Sequence, residues 1–153
     1  MTLTSVFRAT RPVFPVAVAL LLAGCGASTM TLHVKGDERT LNTCGGKEPH
    51  PVVVRIYQLS DSRNFNRTTT ESLWQKDVEA LGADLVKKEE LTLHPGESRE
   101  VEIELRKETT FIGVAADFCK SQKDKWRQIY PMESGGSEIT VAVHDESIVI
   151  EEH

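Results

Sequence analysis

The chain predicts an all-β domain: a two-sheet antiparallel β-sandwich of about eight strands, spanning residues 31–153, with a small helical insertion around 61–82. Two observations carry this. Between Thr31 and Ile150 apolar residues recur mostly at every second position, in short runs separated by Gly, Pro, Asn and Asp turn signals. A single stretch follows the 3.6-residue period instead, and strands do not alternate with helices as a parallel βαβ sheet requires. Four strands packed on four is the simplest arrangement.

Taken in order, Thr31 to Lys35 is a short alternating strand. Gly36 to His50 follows, a connection rich in Gly, Asn and charge that ends at Pro51. Connections of this length in compact domains are usually functional or disordered, which makes this one the first candidate for a binding surface. Val52 to Leu59 is the strongest strand, with Val52, Val54 and Ile56 on one face and Val53, Arg55, Tyr57 and Leu59 on the other, so it is expected to be central. Thr68 and Glu71 then form a capping box, Leu73, Trp74, Val78 and Leu81 share a helical face interrupted near Asp77, and Gly82 supplies the stop.

Leu85 to Leu93 is the next strand, and the His94-Pro95-Gly96 turn leads into Val101 to Leu105. There Val101, Ile103 and Leu105 alternate with Glu100, Glu102 and Glu104, the pattern of a strand with one solvated face. Thr110 to Phe118 is apolar on both faces and therefore buried; Trp126 to Tyr130 follows after a polar loop. Gly135 and Gly136 introduce Glu138 to Val143, and a turn at His144, Asp145 and Glu146 leads to the last strand, Ser147 to Ile150.

The N-terminus belongs to a different regime. Arg8 and Arg11 precede Val13 to Ala23, an apolar run about half the roughly 20 residues that a membrane-spanning helix needs. Leu22-Ala23-Gly24-Cys25 closes it and reads as a bacterial lipoprotein signal over residues 1–24, with Cys25 as the acylation site and residues 25–30 as a lipidated tether of about 20 Å reach. An ordinary cleaved secretory signal is the alternative. Gly26, not Asp, follows the cysteine, and the resemblance to bacterial lipoproteins then implies an outer-membrane location, lipid-anchored and facing the periplasm. Losing Arg8 and Arg11 takes the formal charge from −5 to −7, since residues 1–24 hold no acidic residue. An acidic module is a poor fit to nucleic acid, and a protein partner or small ligand suits it better.

Cys44 and Cys119 remain as an even pair in an oxidising compartment, which favours a disulfide, with two unrelated buried thiols as the alternative. A loop of this length closed by a disulfide gains about 4 kcal/mol in the chain-entropy model. Chemistry-bearing constellations are missing from the sequence. His33, His50, His94, His144 and His153 are dispersed without metal-ligand spacing, and the chain has no Gly-x-Ser-x-Gly elbow, phosphate loop or nucleotide fingerprint. Neither a catalytic residue, a metal nor a cofactor is expected, and the protein is not expected to be an enzyme. Trp74 and Trp126 read as core or anchor residues, and Asp117 as a polar strand end.

The lipobox at Cys25, Pro51-Val52-Val53-Val54-Arg55-Ile56-Tyr57-Gln58-Leu59, Leu81-Gly82-Ala83-Asp84-Leu85, His94-Pro95-Gly96-Glu97-Ser98, and Val114-Ala115-Ala116-Asp117-Phe118 with Trp126-Arg127 occur in one order across nearly the whole mature chain. In combination they resemble the type VI secretion system outer-membrane lipoprotein family (TssJ). That resemblance implies a transthyretin-like sandwich tethered to the inner leaflet of the outer membrane. It implies binding to the periplasmic C-terminal region of the inner-membrane M component, and a scaffolding role without catalysis. In that family the loop between the first two strands contributes to partner binding, which maps by position onto Gly36 to His50; polarity there singles out Asp37, Glu38, Arg39, Asn42 and Lys47. Cys44 and Cys119 depart from the family pattern, and their pairing would staple this loop to the end of the strand at Phe118. A transthyretin-like periplasmic module for a small ligand or peptide is the second reading, and an envelope hydrolase the third.

Overall fold

Two four-stranded sheets face each other across one apolar core. In this computed structural model residues 28–120 and 123–152 are described, so the signal segment and Cys25 lie outside the described residues. The elements are β1 (Thr29–Gly36), β2 (Val52–Leu59), α1 (Arg63–Arg67), α2 (Thr70–Leu81), β3 (Leu85–Leu93), β4 (Ser98–Glu104), β5 (Phe111–Ala116), β6 (Arg127–Pro131), β7 (Glu138–His144) and β8 (Ser147–Glu152). Strand order is β4-β1-β7-β8 in one sheet and β3-β2-β5-β6 in the other. The eight-strand sandwich with a helical excursion is therefore the architecture that the alternation predicts.

One pairing departs from an all-antiparallel arrangement: β1 and β7 run parallel, with Leu32 opposite Ile139 and Val34 opposite Val141. Strands so far apart in sequence leave no local signal of their pairing. This register sets their inward residues side by side, and both sets are fully buried. β1 also starts at Thr29, inside the segment read as tether, because Met30 continues the alternation and is itself buried. Trp126 lies in a 3₁₀ turn ahead of β6, not within the strand.

The inner face of β2 sets Val52, Val54 and Ile56 against the core; its outer face holds the helices. Phe65 of α1 lies edge-on to Tyr57, with ring centroids 5.6 Å apart. Gly113 of β5 makes room for it: a Cβ there would meet Leu59 Cδ1 and Phe65 Cζ at 3.0 Å. On the neighbouring strand the Arg127 guanidinium donates to the carbonyls of Phe65, Thr68 and Asn66 at 2.6 to 2.7 Å, satisfying the open C-terminal end of α1.

α2 begins one residue later than the capping box suggests. Thr69, not Thr68, accepts the Ser72 N–H (3.2 Å), a choice within Thr68-Thr69-Thr70 that local pattern alone does not resolve. The expected interruption is present, with Lys76 at φ −146° and ψ 45°. Asp77 turns inward there, accepting from Lys88 Nζ (2.6 Å), Tyr57 Oη (3.4 Å) and Arg55 Nη1 (3.5 Å). Rotating Asp77 in rotates Val78 out, so Val78 is 66% exposed and does not share the buried face with Leu73 and Leu81.

Burial opposes ionisation of Asp77, yet the Lys88 ammonium and then the Arg55 charge hold its carboxyl below the ordinary value of 3.8. A folded value below the unfolded one stabilises the fold above about pH 4, and that contribution is lost as pH falls through the folded value. Guanidinium unfolding of Asp77→Asn should accordingly show a smaller loss of stability between pH 5 and pH 2 than the parent chain shows. Gly113→Val, which forces Phe65 off the sheet, should cost about 1–3 kcal/mol in the same measurement at pH 7.

Candidate partner-binding surface

At the end of β1 the chain enters the 36–50 connection under tight constraint. Gly36 N–H donates to Glu97 O (2.9 Å) and Gly36 O accepts from Gly96 N–H (3.1 Å). A Cβ at Gly36 would stand 2.8 Å from His94 O, so this crossing admits only glycine without a shift of backbone. Glu97 closes the facing turn by accepting from His94 N–H (2.8 Å) and Arg99 Nε (2.6 Å). That backbone donor, followed by Arg99, draws its carboxyl below the usual range.

Asp37 starts the loop with an Asx turn: Oδ1 accepts from Arg39 N–H (2.9 Å), Thr40 N–H (2.8 Å) and Thr40 Oγ1 (3.0 Å). These donors, Arg39 N–H foremost, lower the Asp37 pKa. Thr40 Oγ1 in turn accepts Asp145 N–H (3.2 Å) from the β7–β8 turn. Leu41 is fully buried and plugs the loop into the core.

The structure places Asn42 differently from the other polar residues singled out in this loop. It is 4% exposed, so its amide is not available to a partner. Its Nδ2 donates to Pro51 O (3.1 Å), its Oδ1 accepts Cys119 N–H (2.9 Å), and its own N–H donates to Asp145 O (2.9 Å). Asn42 is an anchor, and its left-handed backbone (φ 48°) is one that asparagine tolerates. Beside it Cys44 and Cys119 form a disulfide, with Cα atoms 5.1 Å apart. Asp37, Glu38, Arg39 and Lys47 are exposed.

The assembled surface thus has three walls: the 36–50 loop, the His94–Glu97 turn and the His144–Glu146 turn. A shallow groove of about 430 Å³ runs between them, lined in part by Lys35, Asp37, Glu38, Gly96 and His144. Sequence reasoning located the first wall and missed the other two, which lie some 50 to 110 residues away along the chain and carry no signal of adjacency. Charges held on a fixed backbone suit recognition of a macromolecule by charge complementarity. Among the described residues no group of three or more His, Cys, Asp or Glu could hold a metal ion. Nor, among them, is any helix long and apolar enough to cross a membrane.

The fold is thus a β-sandwich with one sheet face covered by helices and an ordered, charged loop surface at one end. The chain belongs to the type VI secretion lipoprotein family: residues 28–146 match the family described as T6SS-SciN, Type VI secretion lipoprotein, VasD, EvfM, TssJ, VC_A0113. It is a structural component of that secretion system. Among solved structures, a chain of one described as "Type VI membrane complex" is 30% identical with a TM-score of 0.74, over 81% of this chain and 98% of that one. A chain of the structure described as "T6SS protein TssM C-terminal domain" from EAEC is 27% identical with a TM-score of 0.72, over 82% and 98%. The T6SS lipoprotein TssJ1 from Pseudomonas aeruginosa shares the fold at 24% identity and a TM-score of 0.69, over 82% and 94%. No curated protein sequence matches.

Replacing both Cys44 and Cys119 by Ser should lower stability by about 2–4 kcal/mol in urea unfolding. In native-state hydrogen exchange the amides of the 36–50 loop should lose protection before those of β1 do. Asn42→Ala, which leaves Cys119 N–H and Pro51 O without their partners, should cost about 1–3 kcal/mol with the disulfide intact.

Proposed function

We propose that this protein is anchored by an acylated Cys25 in the inner leaflet of the outer membrane and faces the periplasm. There it scaffolds the type VI secretion membrane complex by binding the periplasmic C-terminal region of the inner-membrane M component. The surface that makes this contact is the Gly36–His50 loop with its two flanking turns, and no reaction is catalysed.

The polarity of β1 carries this reading. Thr29, its first residue, follows Cys25 by four positions, and Gly36, its last, is the root of the loop. A strand rises about 3.3 Å per residue, so the start of β1 and the root of the loop are roughly 23 Å apart, at its opposite ends. A lipid-anchored domain of this construction turns its loop away from its own membrane, toward whatever spans the gap. The likeness to a chain of the TssM C-terminal domain structure adds support for the choice of partner.

Binding is tested with the soluble domain, residues 26–153, against the periplasmic region of the M component from the same genome. Saturable binding is expected, and the triple change Glu38→Lys, Arg39→Glu and Lys47→Glu should weaken it about tenfold or more, since like charges placed across an interface cost several kcal/mol. These three side chains take no part in the Asx turn or the Asn42 anchor, so the fold should be retained. Undiminished binding moves the interface elsewhere on the sandwich, and a complete failure of the unchanged domain to bind favours a small-ligand or peptide module.

A further inference from the structure

The 36–50 loop falls into two parts at Asn42. Residues 37–42 are held by the rest of the fold: Asp37 N–H donates to Val143 O (2.9 Å), Thr40 Oγ1 accepts from Asp145 N–H, Leu41 is buried, and Asn42 is fixed to Asp145, Pro51 and Cys119. Residues 43–49 form a flap whose neck is closed where His50 N–H donates to Leu41 O (2.9 Å). Inside the flap Gly46 N–H donates to Thr43 O (2.8 Å), and among the described residues no hydrogen bond or ion pair joins 43–49 to the chain outside the loop. Every residue of the flap is exposed or half-buried. The Cys44–Cys119 disulfide is what ties it to the sandwich.

We propose that this disulfide is a redox switch on the flap: a dithiol opens it in the folded protein, releases 43–49 with Lys47 and Glu48, and so weakens partner binding while 37–42 stay in place. The proposal rests on the reading of the loop as the partner-binding surface. Cys119 is exposed and Cys44 half-buried, so an incoming thiolate attacks Cys119 Sγ. The S–S bond breaks, Cys44 leaves as a thiolate and takes up a proton, and the second thiol of the dithiol attacks the mixed disulfide to release Cys119. The dithiol ends as a disulfide, its two electrons having passed to the protein.

The surroundings favour opening and allow closing. Lys120 Nζ lies beside Gly45, where an added Cβ would stand 2.7 Å from it, and a cation at this place favours the departing Cys44 thiolate. Cys44 has a left-handed backbone (φ 57°), unfavourable for a residue with a Cβ, and opening the bond lets it relax. Asn42 Oδ1 accepts Cys119 N–H without any help from the disulfide, and Asn42 stands two residues from Cys44. The two thiols therefore remain neighbours, and the bond can form again without unfolding. Once freed, the flap regains conformational freedom that binding must remove, which lowers affinity.

The test uses the full-length chain, purified from the envelope in detergent and compared oxidised, reduced in excess dithiothreitol, and with Cys44→Ser and Cys119→Ser together. Dithiothreitol without denaturant is expected to open the bond, with the near-ultraviolet circular dichroism of the tryptophans retained. Lys-C cleavage after Lys47 should rise about tenfold or more on reduction, with cleavage after Lys35 in β1 unchanged. Affinity for the periplasmic region of the M component should fall severalfold and return on reoxidation, and the double variant should match the reduced chain and ignore dithiothreitol. A bond that opens only in denaturant, or equal acceleration at Lys35 and Lys47, overturns the proposal. Equal affinity of the oxidised and reduced chains, with binding still weakened by the triple change at 38, 39 and 47, defeats only the switch. An oxidised chain that does not bind at all defeats the docking reading and this proposal with it.

Discussion

β1 is hydrogen-bonded along both edges, antiparallel to β4 and parallel to β7, while Met30, Leu32 and Val34 are buried from its inner face. A slip of one residue would send all three to solvent and bring Thr31, His33 and Lys35 into the core, so the register is fixed by burial. Because the strand cannot slide, the distance between the start of the domain and the root of the 36–50 loop cannot change. Both ends of the molecule inherit their positions from that pairing.

The two outward sheet faces are treated in opposite ways. On β3-β2-β5-β6 the helical insertion covers Tyr57 and Leu59, and cations rising from the sheet hold it there. Arg55 stacks over Trp74 at 4.2 Å, donates to Leu73 O (3.0 Å) and pairs with Glu90 (2.6 Å). Arg127 stacks over Trp126 at 4.7 Å while it closes α1. Trp74 Nε1 is buried and has no hydrogen-bond partner among the described residues, while the Arg55 guanidinium lies over its ring. On β4-β1-β7-β8 the face is glutamate-rich and no helix among the described residues covers it, which keeps it solvated and discourages sheet-on-sheet association.

Order in the loop comes from outside the loop. Asn42 reaches Pro51 and Cys119, Thr40 reaches Asp145, Gly36 reaches Gly96 and Glu97, and the disulfide ties Cys44 to the end of the β5 segment. A connection held at this many points has already lost most of the conformational freedom that binding would otherwise remove, which lowers the cost of recognition. The disulfide belongs to this arrangement as one support among several.

Strand count, the placement of the helical insertion and the long 36–50 connection were all legible in the sequence, because each rests on a local pattern of period two, period 3.6 or turn residues. Leu85 to Leu93 matches its strand at both ends, and the break expected near Asp77 falls one residue away at Lys76. What local pattern cannot encode is which distant segments meet. The parallel β1–β7 pairing, the outward turn of Val78, the choice of Thr69 as cap and the burial of Asn42 each follow from contacts made across tens of residues. The sequence by itself determined the elements and their polar and apolar faces, since those depend on neighbours along the chain. Only the tertiary structure decided that Asn42 anchors the loop while Glu38, Arg39 and Lys47 stay exposed, because residues of like polarity are sorted by the space and partners that the folded core leaves to each.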